Sequence, residues 1–518
     1  MGRVTAPNQA LPVPPADLPG TLGALRAAGH RYQTVKQELR HNLLARMRSG
    51  EDRFPGIVGY DDSVLPEVER ALLAGHDMVL LGERGQGKTR LIRSLVALLD
   101  EWTPVLPGSV LNEHPLHPLT PASRALVAEA GDDLPIGWLH RSMRYGEKLA
   151  TPDTSVGDLI GDVDPIRIAQ GRTLGDPETI HFGLVPRTNR GIFAVNELPD
   201  LAERIQVALL NVLEERDIQV RGYQLRLPLD LFLVASANPE DYTNRGRIIT
   251  PLKDRFGAEV RTHYPVDLDL ELALIRQEAD LVAEVPEHVL EVLARFARAV
   301  RESPSVDPRS GVSARFAIAA AETVAAAALR RAGLLAGPAG APTSDSGPAG
   351  SPATDPGPAG SRGAGSASGA GAATVRPEAP VARVGDAVSV TSTLRGKVEF
   401  ESGEEGRETE ILAHVLRTAT AETFRARLAG LDLSGFTALV AEGAVIETGE
   451  LVASAELLRQ VGTVPGLAKA LDRLGLGDAP TPEQAAAGVE FVLEGLHLTR
   501  RLGKDVTESG RTVYGGRS

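Results

Sequence analysis

The sequence predicts an α/β fold, a parallel sheet between helices, followed by a mainly helical C-terminal region. Three observations carry that prediction. The apolar run Met78-Val79-Leu80-Leu81 has strand length and leads through a glycine-rich stretch into a helical pattern. Two more apolar runs, within residues 189–199 and 229–239, end in polar residues, as strands buried on both faces of a parallel sheet do. From Leu268 onward apolar residues recur mostly at helical spacing.

The stretch after the first run reads Gly82-Glu83-Arg84-Gly85-Gln86-Gly87-Lys88-Thr89 and fits the phosphate-loop pattern G-x-x-x-x-G-K-[ST]. Leu91, Ile92, Leu95, Val96 and Leu99 follow on one helical face. Glycines let the backbone turn its N–H groups toward phosphate oxygens, and the helix N-terminus adds partial positive charge. Lys88 adds a full charge, and Thr89 would place its hydroxyl on Mg²⁺.

Composition sets the bounds. With 518 residues and 42% hydrophobic content, the chain can form two to four domains with real cores. A net charge of −13 argues against general binding to nucleic acid or anionic membrane. With no cysteine, disulfides, thiolate metal sites and cysteine nucleophiles are excluded. No signal peptide or membrane span is visible, so a soluble, cytoplasmic protein is the expectation.

Residues 1–22 are rich in Pro and small residues and read as a disordered tail. Helices are expected over residues 31–48 and 63–74, with Ile57, Val58 and Gly59 between them. Prolines punctuate residues 105–144, which read as an irregular insertion; His114 and His117 lie there without a carboxylate cluster, as a surface loop. The strand ending at Val195 places Asn196 and Glu197 at the sheet edge where α/β proteins bind ligands. There Glu197 can polarise an attacking water and Asn196 can hold the Mg²⁺ hydration shell. Residues 217–227 alternate about Gly222 as a β-hairpin. The next strand ends in Asn238, whose amide suits contact with a γ-phosphate or its attacking water. Arg255 has the chemistry of a finger reaching into a neighbouring subunit's site, while on residue type alone a salt-bridged surface arginine is the better reading.

Helices are expected over 270–282, 287–300 and 313–331, with Arg315 opening the third. A Gly/Pro/Ala/Ser linker over 337–380 repeats G-P-A-G at 337, 347 and 357. Beyond it, 393–401 has strand character, and helices are expected over 408–429, 436–440, 454–474 and 482–501. The tail from 503 reads as polar and frayed. The domain reading is a tail at 1–22, an N-terminal helix with the α/β domain at 23–265, a helical lid at 266–400 containing the linker, a helical interaction domain at 401–505 and a tail at 506–518.

Taken in this order, the motifs resemble those of AAA+ ATPases. Gly82 to Thr89 matches Walker A, Val195-Asn196-Glu197 matches Walker B, Asn238 sensor 1, Arg255 the arginine finger and Arg315 sensor 2. The hairpin at 217–227 and the segment His181-Phe182-Gly183-Leu184-Val185-Pro186 are similar to features of the clade holding the magnesium chelatase ATPase subunit and the MoxR proteins. The resemblance covers residues 54–335. It implies ATP and Mg²⁺ as cofactors, an adenine pocket lined by Ile57, Val58 and Gly59, and a ring, often a hexamer, acting on a partner protein. In this clade that partner commonly bears a von Willebrand factor A-type domain. Asn196 stands where the family has Asp, so a negative charge beside Mg²⁺ is missing. Two alternatives remain: a transcription activator for an alternative sigma factor, for which the G-A-F-T-G-A loop is lacking, and a nucleotide-binding scaffold with little hydrolysis.

Overall fold

The computed structural model describes residues 12–164, 180–215, 218–220, 223–225, 227–238, 247–307, 312–336, 380–507 and 511–515. Its contacts divide the chain into two units, 1–278 with 307–315, and 279–306 with 316–518. The strands of the first unit are β1 (Met78–Leu81), β2 (Trp102–Val105), β3 (Gly137–His140), β4 (Tyr145–Leu149), β5 (Gly161–Val163), β6 (Ile180–Phe182), β7 (Gly191–Asn196), β8 (Ile218–Val220), β9 (Tyr223–Leu225), β10 (Leu231–Ala237) and β11 (Ala258–Arg261). Those of the second are β12 (Ile446–Thr448), β13 (Gly503–Val506) and β14 (Thr512–Gly515).

Successive side chains of a strand point to opposite faces, and in the central strands both faces are buried. Val79, Leu81, Phe193, Val195, Leu233 and Ala235 join one apolar cluster. Met78, Leu80, Ile192, Ala194, Phe232 and Val234 join the other. This is why these strands read as unbroken apolar runs. They form a five-stranded sheet in the order β11-β1-β10-β7-β4, every pair parallel. Ile205, Leu209 and Val212 of the helix Glu203–Glu215 cover the first face. The helices Val35–Ser49, Val64–Ala74 and Lys88–Ser94 cover the second. Thr34 and Gln37 cap the first of these reciprocally, and Gly50 ends it in the left-handed region at φ 75°.

Register sets the functional edge. Leu81 pairs with Ala237 and Val195 with Ala235. The residues that follow, Gly82, Asn238 and Asn196-Glu197, therefore leave the sheet together at its carboxyl end.

The region 105–144, expected to be irregular, is ordered. β2 pairs antiparallel with β3, and residues 121–130 form a helix opened by Pro121 at its first turn. Leu106, Leu134 and Ile136 share a small core with Leu22 and Leu25 of the short helix Leu22–Ala27. The expected hairpin at 217–227 is present as β8 and β9.

The helix expected over 270–282 is Leu268–Glu278, in the first unit, and those expected over 287–300 and 313–331 are Glu287–Arg301 and Ala314–Ala336, in the second unit, the latter from its third residue. Residues 388–397 are helical turns where a strand was expected to begin. The expected helix over 454–474 is two, Ser454–Val461 and Leu467–Arg473, separated by Gly462, Pro465 and Gly466. The tail expected to fray from 503 instead supplies β13 and β14, which form a sheet with β12, and Tyr514 is buried. The repeated linker at 337–379 and residues 1–11 lie outside the described residues. No helix among the described residues is long and apolar enough to cross a membrane.

A candidate nucleotide-binding site

The loop after β1 is pinned from several sides. Gly85 and Gly87 lie in the left-handed region at φ 79° and 78°, which glycine adopts without steric cost. Tyr264 donates to the Arg84 carbonyl at 2.8 Å, and Thr262 Oγ1 donates to Gln86 Oε1 at 2.7 Å. The Tyr60 hydroxyl reaches the Gln86 carbonyl and, at 3.0 Å, that of His263. Burial raises the Tyr60 pKa to about 12, so the phenol keeps its proton for these contacts. Lys88 is buried and its Nζ donates to the carbonyls of Gly82 and, at 2.8 Å, Glu83. A cleft of about 330 Å³ opens beside Gly82, Glu83 and Gln86, bounded by Lys253, Arg261 and Thr262.

The segment holding Ile57, Val58 and Gly59 packs next to this loop's helix. Gly56 accepts at its carbonyl from Arg90 Nε at 2.9 Å and Gln277 Nε2 at 2.8 Å. Gly59 lies at φ 80° with Leu270 in van der Waals reach of the space a side chain would take.

At the end of β7, Asn196 is buried. Its Nδ2 donates to Glu147 Oε1 at 2.6 Å, and its Oδ1 accepts from Ser236 Oγ at 3.2 Å. Glu197 adopts φ 56°, ψ 48°, a left-handed conformation uncommon for a residue with a β-carbon. Its N–H donates to Ser236 Oγ at 3.3 Å. Asn238 follows β10 and is buried at 3% exposure. Arg315 is exposed at the start of its helix, two residues after Ser313, which touches Gly85. The structure thus gathers the loop, Asn196, Glu197 and Asn238 at one sheet edge and brings the start of the Arg315 helix to the loop.

Arg255 is not part of that gathering. It is half exposed at the end of the helix Thr250–Arg255 and forms an ion pair with Glu214.

Two residues the sequence did not single out belong to the site. Glu147 on β4 accepts from Arg93 Nε at 2.8 Å and Nη2 at 3.0 Å, and from Tyr145 at 2.9 Å, besides Asn196. Arg93 lies on the helix that Lys88 opens, and its bond to Glu147 raises its pKa. The signal was faint: Tyr145-Gly146-Glu147-Lys148-Leu149 has too little apolar content to read as a sheet strand.

His114 is not on a surface loop. It is buried, its Nδ1 accepts from the Leu116 N–H at 3.0 Å, and its Nε2 lies 3.1 Å from His30 Nε2. Burial and the nearby Arg190 push its pKa down to about 2. With Nδ1 accepting, the Nε2 of the neutral ring carries the proton and faces His30 Nε2. Among the described residues no group of three or more His, Cys, Asp or Glu could hold a metal ion.

Sheet order, the loop after β1 and the polar ends of β7 and β10 define an α/β AAA+ P-loop module. Comparison with curated proteins places the chain among the relatives of the AAA+ ATPase subunits of magnesium chelatase. It is 30% identical over 241 residues to the magnesium-chelatase 38 kDa subunit of Rhodobacter capsulatus, covering 43% of this chain and 59% of that protein. It is 28% identical over 233 residues to the chloroplastic subunit ChlI-1 of Arabidopsis thaliana, covering 44% and 51%. The chain thus spans between half and two thirds of the length of these curated relatives. No family model matches. Among solved structures, one of the BchI–BchD complex of magnesium chelatase aligns at 23% identity and TM-score 0.33, covering 55% of this chain and 88% of that one. NtrX from Brucella abortus aligns at 16% identity and TM-score 0.32, covering 55% and 54%.

Proposed function

We propose that the chain binds ATP with Mg²⁺ at residues 82–89 and hydrolyses it as a AAA+ ring motor of the magnesium chelatase and MoxR type. The observation that carries this reading is the convergence of the glycine loop, Asn196-Glu197 and Asn238 at one sheet edge. Lys88 and the loop N–H groups hold the phosphates, and Ile57, Val58 and Gly59 border the adenine. Glu197 orients and polarises the attacking water. Asn238 contacts the γ-phosphate or that water, and Arg315 reads the γ-phosphate.

The donor set suits Mg²⁺, a hard cation that takes oxygen ligands and keeps several waters: the Thr89 hydroxyl and the Asn196 amide oxygen are such donors. When bound, Mg²⁺ neutralises charge on the phosphate oxygens. Arg255, exposed at the end of its helix, serves the site of a neighbouring copy in a ring, for which a hexamer is the expected size. The helices Glu287–Arg301 and Ala314–Ala336 act as a lid, and the remainder of the second unit engages the partner. By analogy with the BchI–BchD pairing, that partner is a second protein, of the von Willebrand factor A-type class, on which the motor performs remodelling or metal insertion in the cytoplasm.

The test is ATP turnover against protein concentration, with Glu197→Gln as the control. Specific activity that climbs with concentration and vanishes in the variant supports shared sites in a ring. ATP binding without turnover at any concentration favours the scaffold reading, for which Asn196 in place of the family's Asp is the specific observation.

A further inference from the structure

Asn196 and Glu147 have to be understood as a pair. An ionised carboxylate only accepts hydrogen bonds, so the amide of Asn196 has one admissible orientation: Nδ2 toward Glu147 at 2.6 Å, Oδ1 away from it. The Ser236 hydroxyl, donating to that Oδ1 at 3.2 Å, requires the same orientation. Ser236 Oγ in turn accepts from the Glu197 N–H at 3.3 Å. The donors run in one direction, from the Glu197 backbone through Ser236 and Asn196 to Glu147, and aligned bonds of this kind polarise one another. At the far end, Arg93 grips Glu147 through two bonds and carries the network to the helix of Lys88 and Thr89.

An aspartate at position 196 would set a second carboxylate against Glu147 at hydrogen-bond distance. Two carboxylates that close do not both ionise readily; one pKa rises strongly. Asparagine at this position is therefore the complement of a carboxylate on the neighbouring strand.

We infer that Glu147 is a positioning residue that takes over the acidic role of the Walker B aspartate: it supplies the negative charge near the metal side of the site and fixes the orientation of the Asn196 amide between β4 and Ser236. The inference rests on the nucleotide reading above. The acidic group has moved from β7 to β4, and Arg93 moderates its charge.

The test is equilibrium binding of a fluorescent ADP analogue to the full chain, titrated with Mg²⁺ and repeated in EDTA, with thermal melts to confirm folding. Glu147→Gln should raise the Mg²⁺ concentration for half-maximal tightening, referred to the same variant's own affinity in EDTA, about tenfold, the scale of one nearby charge. Asn196→Asp alone should bring no improvement, because it meets Glu147. The double variant Asn196→Asp with Glu147→Gln should return toward the parent's Mg²⁺ requirement. Arg93→Gln should lower that requirement, an effect opposite in sign to simple damage and independent of how well Glu147→Gln folds. A parent-like Mg²⁺ profile in Glu147→Gln, a better one in Asn196→Asp alone, or an unrescued double variant overturns the inference while the nucleotide reading stands. If the parent chain binds no nucleotide in either condition, the nucleotide reading fails and takes the inference with it.

Discussion

Ser313 occupies the space into which a side chain on Gly85 would project: a β-carbon there would fall 2.0 Å from the Ser313 β-carbon, at φ 79°. Through this contact the phosphate loop meets the segment that opens the Arg315 helix. Gly85→Ala combines a left-handed alanine, a cost of about 1–2 kcal/mol, with displacement of Ser313. We expect ATP affinity to fall by about tenfold or more, one decade per ~1.4 kcal/mol, with a lowered melting temperature. Calorimetric titration and thermal melts check both, and unchanged affinity refutes the loop assignment.

Arg255 and Glu214 form an exposed ion pair, and such pairs contribute about 0–1 kcal/mol. Arg255→Ala should therefore leave melting and ATP affinity near those of the parent yet remove turnover that depends on protein concentration. A variant with full turnover excludes the finger role.

The sequence announced the elements whose burial is strongest. β1, β7 and β10 are apolar over their length because helices cover both faces, and the residues at their ends marked the site. It concealed β4, whose Glu147 and Lys148 interrupt any apolar run although Gly146 and Tyr145 pack inward, and so it concealed the carboxylate beside Asn196. The β2–β3 hairpin was hidden by prolines 104, 107 and 135. Pro104 sits within β2 itself, at the edge of a two-stranded ribbon where a missing N–H is tolerated. β13 and β14 were missed because Gly503-Lys504-Asp505-Val506 buries little. They pair with each other locally, and β14 alone pairs with β12, about sixty residues earlier in the chain, a partner that no local pattern reports.

Arg144 donates two hydrogen bonds of 2.6 Å to the Glu38 carboxylate, the side chains being 1% and 7% exposed, and Glu38 Oε1 also accepts from the Asp100 N–H at 2.7 Å. Glu38→Ala leaves the guanidinium buried beside Arg190 without its counter-charge. A loss of about 3–5 kcal/mol is expected, read from urea unfolding, with much of it regained when Arg144→Met is added. A loss below about 1 kcal/mol would show that water reaches the pair.

His288 is fully buried against Phe491, ring centroids 4.9 Å apart, and burial holds its pKa at about 3, with Arg427 adding to the depression. The unfolded imidazole takes up its proton near pH 6.5, while the folded one stays neutral until about pH 3. Between these values the unfolded chain binds more protons, so this group's contribution is complete above about pH 6.5 and declines on acidification by up to ~1.4 kcal/mol per pH unit. His288→Leu should flatten the pH dependence of urea unfolding across about pH 7 to 5. An unaltered slope assigns the acid sensitivity to other groups.

The left-handed backbone of Glu197 carries one more consequence. A β-carbon held at φ 56° costs free energy that glycine at the same place does not incur. Glu197→Gly would then relieve conformational tension while deleting the carboxylate, and it should melt no lower than Glu197→Gln, which keeps the tension. The resilience of the molecule and the chemistry proposed for its sheet edge are in this respect opposed: the residue proposed to act on water is one that the fold would hold more comfortably as something inert.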